Sequence, residues 1–302
     1  MAMGSALTTI GLPVALGIIM FGLGLSLTVG DFARVGKHPK AVFIALACQL
    51  VLLPAICFGL VLAFNLPPVL AVGMMLLAAS PGGTTANLYS HLFRGDVALN
   101  ISLTAINSVI AVVTLPIIAN LSIAFFMPGD MSLGLQLDKV VEVFAIVLLP
   151  VGFGMLVRWW KPRFADAMDK PVRITSVVIL VVVIAGAVYS NIEILVANFA
   201  ALAIITVLFC LVSLSVGYWV PQLFRVGRAQ AVASAFEIGI HNATLAIVIA
   251  QTVLGSLELS LPAAVYGVLM FFVAAAFGFA IRGRGPASSG ESLDDRTVDA
   301  RK

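Results

Sequence analysis

Glu237-Ile238-Gly239-Ile240-His241-Asn242-Ala243-Thr244 places a carboxylate, an imidazole and an amide inside a stretch that is otherwise oily. From Ala229 to Leu254 the neighbours are mostly Ala, Val, Ile, Leu and Phe, and about 20 such residues suffice to cross a bilayer. An ionised side chain at mid-span costs roughly 2.5–3.5 kcal/mol on insertion scales, so Glu237 needs a partner. The composition agrees with a membrane setting. Of 302 residues 61% are hydrophobic and only 10% charged, and the mean hydropathy is +1.13. A soluble domain of this size is excluded, and the fold class expected is an all-α polytopic membrane protein.

Apolar runs bounded by charge, Pro and Gly predict nine transmembrane helices, over 8–29, 40–64, 68–93, 97–126, 138–159, 172–190, 198–223, 229–254 and 260–282. The transporter domain is thus expected over 1–282. The remaining 283–302 mix Gly, Ser, Asp and Arg without apolar periodicity and read as a disordered cytoplasmic tail. No Lys or Arg precedes the first span and no small-residue cleavage pattern follows it, so it is expected to stay in the mature protein. The segments after spans one, three, five and seven, with the tail, carry 3, 1, 5, 2 and 5 Lys and Arg, or 16 of the 17. By the positive-inside rule the N-terminus lies outside and the C-terminus in the cytoplasm, in a plasma membrane or bacterial inner membrane. With the basic residues spent on orientation, no nucleic-acid patch is expected. Cys48, Cys57 and Cys210 lie inside apolar runs without ligand spacing and read as small buried residues.

Two spans differ from the rest. The third contains Ala79-Ser80-Pro81-Gly82-Gly83-Thr84-Thr85-Ala86-Asn87, where a proline and two glycines interrupt the helix, and the eighth has Gly239 at the centre of the opening stretch. Broken backbone at membrane depth is tolerated only where protein, water or an ion satisfies it. Each break is followed by one more span before its half of the chain ends, and the two run in opposite directions, the arrangement of an inverted repeat lacking one leading span.

Glu237 is the only acidic residue deep in a predicted span; Asp31, Asp96, Asp130, Asp138, Glu142, Glu193 and Glu258 lie near span ends. Such a carboxyl holds a proton or exchanges it for a metal cation. Asn100, Thr104 and Asn107 recur at helical spacing in the fourth span, and Asn87 closes the first break. Oxygens of Asn87, Asn100, Thr104 and Glu237 around a hard cation suit sodium and not zinc or copper; an interhelical hydrogen-bond stripe is the bland alternative. Gln49 is a lone amide in the second span. His241 stands one turn after Glu237 and could share its face. Glu-x-x-x-His is no zinc-protease signature, and no nucleophile setting surrounds Ser80 or Ser90, so an intramembrane hydrolase is a poor rival and no enzyme is expected.

Over essentially the whole chain to about Arg282, these residues resemble the bile acid:sodium symporter family. The matching signatures are Leu16-Gly17-Ile18-Ile19-Met20-Phe21-Gly22-Leu23-Gly24-Leu25, Lys37-His38-Pro39-Lys40, Pro81-Gly82-Gly83-Thr84 with Asn87, Gly95-x-Val97-Ala98-Leu99, and Glu237-Ile238-Gly239 with Asn242. The resemblance implies a core domain with two crossing broken helices, a panel domain packed against it, and the nine-span form of the family. It implies one sodium site from Asn87, Asn100, Thr104 and Glu237, with Ala86 where the family often has a liganding serine. A second would use Gln49, Glu237, the carbonyls of Ile238 and Ile240, and His241, where the family usually has glutamine. Imidazole is a poor sodium ligand, which leaves pH sensitivity open. Thr84 and Asn242 match positions that face the substrate crevice. The final span, Leu269-Met270-Phe271-Phe272, lacks the polar pair of some bile-acid-binding relatives.

The function expected is sodium-coupled symport of an organic anion, bile-acid-like or a small carboxylate such as a keto acid or pantoate. Proton coupling and cation/proton antiport stay open beside it. Sodium ions serve as coupling ions with no further cofactor, and the partners expected are the anion, sodium and the lipid bilayer.

Overall fold

A computed structural model describes residues 12–128 and 137–282. The expected tail, the start of the first span and Asp130 lie outside the described residues. Among these residues the secondary structure is helical, with one isolated β-bridge between Gly82 and His241. In chain order the helices are α1 (Leu12–Ser26), a short α2 (Val29–Ala33), α3 (Pro39–Ala63), α4 (Pro68–Ala79), α5 (Thr85–Leu92), α6 (Val97–Phe126), α7 (Leu137–Trp160), α8 (Pro162–Ser190), α9 (Ile192–Leu223), α10 (Arg228–Gly239), α11 (Ala243–Val253) and α12 (Leu261–Arg282). Among the described residues four helical segments are long and apolar enough to cross a membrane, Pro39–Ala63, Val97–Phe126, Ile192–Leu223 and Glu258–Arg282.

Local chemistry explains several helix limits. Pro68 and Pro162 open α4 and α8 in the first turn, where a missing N–H costs nothing. Asp96 caps α6 by accepting from the Leu99 N–H at 3.0 Å. Inside α3, residues Cys48–Leu52 widen into a π-turn, with the Leu53 N–H reaching the Cys48 carbonyl five residues back. Pro54 follows directly; its ring would crowd the carbonyl four residues earlier, and the wider turn relieves that conflict. Gln49 sits in this turn and is buried.

Three expectations need adjustment. Helices α8 and α9 begin at Pro162 and Ile192, ahead of the expected spans from 172 and 198; α8 runs through the charged residues Arg163 to Arg173, which an apolar count cannot follow, and α9 takes in Glu193. Gly239 is not the centre of a break but the last helical residue of α10, and the break occupies Ile240–Asn242. A side chain at Gly239 would collide with Leu214, so this glycine permits close packing of α9 on α10. Finally, Asn87 lies in the first turn of α5, after a break that spans Ser80–Thr84.

Helices α1 and α7 cross through glycines. A Cβ at Gly24 would strike the Val151 backbone, and one at Gly154 would strike the Phe21 carbonyl and the Leu25 N–H. Small residues let membrane helices approach this closely, and packing then holds them. Gly154→Leu should destabilise the fold by about 1–3 kcal/mol through overpacking, lowering the melting temperature of the purified protein in detergent. Gly152→Leu is the control, since nothing lies within 4 Å of its added carbon; equal effects of the two would contradict the crossing.

Candidate functional site

The two interruptions meet. Helix α4 ends where Ser80 turns extended and Pro81 offers no donor; α10 ends one residue before Ile240. The Gly83 N–H donates to the Ile240 carbonyl at 2.7 Å and the Asn242 N–H to the Pro81 carbonyl at 2.8 Å. Each break therefore satisfies backbone groups of the other, as buried peptide groups require. Side chains satisfy the exposed helix-end carbonyls. The Ser80 carbonyl accepts from Gln49 Nε2 at 3.0 Å and faces His241 Nδ1 at 3.3 Å. The Gly239 carbonyl accepts from the Tyr266 hydroxyl at 2.8 Å and from Cys210 Sγ at 3.5 Å.

Beside this crossing lies the carboxylate. Glu237 is 2% exposed, and its Oε2 accepts from Thr104 Oγ1 at 2.5 Å. Thr104 Oγ1 also lies 3.1 Å from the Asn100 carbonyl, so one hydroxyl proton is shared between two acceptors. Asn100 is held in turn by Nδ2 donating to the Ala233 carbonyl at 2.7 Å. Gly82 packs directly on the acid: a Cβ there would overlap Glu237 Oε1, its carboxyl carbon and its backbone carbonyl.

What these partners leave over is the informative part. Among the buried side-chain atoms without a hydrogen-bond partner are Glu237 Oε1, Asn87 Oδ1, Asn100 Oδ1, Gln49 Oε1, Asn107 Nδ2 and His241 Nε2. An unpartnered buried polar atom costs about 1–3 kcal/mol, and native structures contain few. These six belong to residues of α3, α5, α6 and α10 and the second break. Four are oxygens, one of them on a carboxylate, and hard oxygen donors that include a buried negative charge are the type that suits a monovalent cation.

The remaining expected residues divide. A narrow crevice between α3, α6 and α10 is lined by Gln49, Asn107, Glu237 and Ile238, with Ala45, Leu46 and Leu103. The Ile240 carbonyl is already engaged by Gly83. His241 does not continue the face of Glu237, because the helix ends between them. Its ring stacks on Phe209 at 5.5 Å and meets the edge of Tyr266 at 5.4 Å, both between centroids. Thr84 is exposed at the start of α5. Asn242 is half-buried and caps α11, its Oδ1 accepting from the Leu245 N–H at 3.0 Å. Sequence reasoning missed Tyr266 and Cys210 as carbonyl donors. A tyrosine hydroxyl in an apolar final span was the signal available, since such a group needs an acceptor.

Comparison with known proteins supplies the lineage. A model described as Sodium Bile acid symporter family matches residues 13–198. The chain is 28% identical over 256 residues to the uncharacterized sodium-dependent transporter YocS of Bacillus subtilis strain 168, covering 84% of this chain and 78% of that protein. It is 26% identical over 283 residues to the probable sodium/metabolite cotransporter BASS2, chloroplastic, of Oryza sativa subsp. japonica, covering 93% of this chain and 66% of that one. With human sodium/bile acid cotransporter 4 it shares 30% identity over 260 residues, 85% of this chain and 58% of the relative. The chain thus spans less than two thirds of the plant and human relatives. These are transporters and not enzymes, which removes the hydrolase rival, and the apolar helices are those of a multi-pass membrane protein. With a match over more than half its length, and with the acid and both helix breaks brought to one place, the chain belongs to the sodium bile acid symporter family.

Proposed function

We propose that this chain is a sodium-coupled symporter of a small organic anion, with nine spans built as an inverted repeat around the crossed breaks, its N-terminus outside and its C-terminus in the cytoplasm. The observation that carries the reading is a buried acid, oriented by Thr104 at the crossed breaks, whose Oε1 is unpartnered as are the oxygens of the expected ligands Asn87 and Asn100. A sodium ion there would complete the coordination that the protein leaves unfilled. The parallel course of α1 and α7 supports the topology. Gly17 lies near Pro150, and the residues after Ser26 share a cavity of about 550 Å³ with Arg158 and Trp159, as the first and fifth of alternating spans would.

The anion is assigned to the crossing, where Thr84 and Asn242 stand at the starts of α5 and α11. Helix N-termini carry partial positive charge and favour a carboxylate. Among substrates we favour a small carboxylate, as the plant relative's name speaks of a metabolite and the last span carries Leu269-Met270-Phe271-Phe272 where some bile-acid-binding relatives have a polar pair. We further read the coupling as one sodium per anion. At the second set of residues His241 turns Nδ1 to the Ser80 carbonyl and packs its ring between aromatics, and the Ile240 carbonyl is taken by the Gly83 N–H, so beside the acid only Gln49 Oε1 is left as an unpartnered side-chain oxygen of that set.

The test is a thermal-shift screen of organic anions with and without sodium, followed by uptake of the stabilising anion into proteoliposomes. Sodium-dependent stabilisation and uptake are expected. With one sodium per monovalent anion, uptake should not respond to membrane potential, whereas each net charge would gain about 2.3 kcal/mol per 100 mV. Ion exchange with no organic substrate would favour antiport instead, and uptake driven by a pH gradient without sodium would replace sodium by protons.

A further inference from the structure

Along α6 the acid is flanked by two amides of opposite use. Asn100 stands one turn before Thr104 and Asn107 one turn after it, so the three share a face of one helix. On the Asn100 side the unpartnered atom is an acceptor, Oδ1; on the Asn107 side it is a donor, Nδ2, on a residue only 2% exposed. Ser90, Ser213 and Ser234 also carry unpartnered hydroxyls, but Asn107 differs from them in lining the same narrow crevice as Glu237. That crevice is too narrow to admit a water molecule, and besides the acid its polar lining is Gln49 and Asn107. Gln49 Nε2 is directed at the Ser80 carbonyl, 3.0 Å away. Asn107 is therefore the side-chain donor left to serve Glu237 Oε1 from this crevice. Its amide acts on the carboxyl as a donor, although Nδ2 and Oε1 close no hydrogen bond in this geometry.

We infer that Asn107 is a positioning residue that holds Glu237 when no cation does: as sodium leaves, Asn107 Nδ2 turns to Glu237 Oε1 and donates a hydrogen bond in the ion's place. This rests on the sodium reading above. An N–H is no ligand for a cation, so a donor placed here serves the acid and not the ion. A symporter releases its cation and then returns without it, and in that state a buried carboxylate has lost its counter-charge. A hydrogen bond to a charged group is the strongest replacement an uncharged side chain can supply. Thr104 already fixes Oε2, so a donor on Oε1 completes the carboxylate from a single continuous helix and keeps it at the crossing for the next ion. Sodium and the Asn107 amide thus compete for one oxygen, and the sign of the effect follows. Removing the amide strands the ion-free acid and tightens sodium binding.

The experiment uses the full chain, purified in detergent, with sodium chloride as the probe and choline chloride as its sodium-free counterpart. Asn107→Leu keeps the approximate size of the side chain and removes the donor; Asn107→Ala is the second variant. Two quantities are read: the sodium concentration at half-maximal thermal stabilisation, and the melting temperatures in choline and at saturating sodium. The half-maximal concentration is expected to fall roughly ten-fold, the scale of one hydrogen bond to a charged group. The melting temperature should drop in choline and stay near that of the unmodified protein at saturating sodium. A side chain that merely packs would lower both melting temperatures alike and leave the titration in place; that result overturns the inference and leaves the sodium reading intact. A half-maximal concentration that rises also overturns it, by making Asn107 a ligand through its oxygen. Absence of any sodium stabilisation in the unmodified protein overturns the sodium reading, and the role of Asn107 with it. Should Asn107→Leu fail to fold, Asn107→Ala decides by the same two readings.

Discussion

Glu237→Gln should cut sodium affinity roughly a hundred- to a few-thousand-fold and abolish sodium-driven uptake. Glutamine keeps the length of the side chain and an oxygen that can still accept from Thr104, so the hydrogen bond at 2.5 Å and the packing against Gly82 are retained in kind. What disappears is the negative charge. Removing one partner of a buried ion pair costs about 3–5 kcal/mol, and each 1.4 kcal/mol is about ten-fold in binding. The magnitude separates two readings of the same acid. If Glu237 were a protonated carboxyl acting only as interhelical glue, glutamine would serve nearly as well, since such bonds in membranes average about 0.6 kcal/mol. Titrating sodium against the melting temperature of both proteins, then measuring uptake in vesicles, distinguishes them. An unchanged sodium titration in the variant would remove Glu237 from the cation site.

Gly82→Val should be nearly as damaging, although this residue carries no ligand. Its Cβ would fall on the Glu237 carboxyl group and on the backbone carbonyl of the same residue. Neither can yield cheaply, because Thr104 holds the carboxylate from the far side and Gly83 and Asn242 bond the crossing on either side of the contact. Overpacking of this kind costs about 1–3 kcal/mol, and the relief available is to push the two breaks apart, which strips the paired N–H and carbonyl groups of their partners. Loss of both sodium stabilisation and uptake is therefore expected, with the protein still extractable as a folded species. Gly83→Ala is the comparison, since its added carbon approaches no nearer than 3.3 Å, to the His241 carbonyl. A Gly82→Val protein that binds sodium normally would show that the crossing is not tied to the acid.

The relation between sequence and site is uneven, and the same residues explain why. The helices were legible because each membrane span must satisfy its own backbone, so an apolar run bounded by Pro, Gly and charge has little choice but helix. The helix breaks were legible from Pro81 and its two glycines, and from a lone carboxylate that hydrocarbon does not tolerate unaided. Even so, the sequence presents Gly82 as a helix interruption, whereas in the fold it also makes room for an oxygen. Helical spacing puts His241 one turn from Glu237, whereas the helix ends between them and the imidazole belongs to an aromatic pocket formed by Phe209 and Tyr266. The extra width of α3 at Gln49 follows from Pro54 but depends equally on Ser80 being there to accept its amide.

By itself, then, the amino-acid sequence determined the membrane class, the helical runs, the two interruptions and the identity of the one acid that must find a partner. All of these follow from short-range rules, namely backbone hydrogen bonding, proline and glycine geometry, and the cost of charge in oil. Tertiary structure alone decided that Gly82 meets His241, that Thr104 and not His241 orients Glu237, and which oxygens are left unpaired. Those contacts join residues more than a hundred positions apart, and no local preference along the chain records which distant carbonyl or hydroxyl will arrive to complete them.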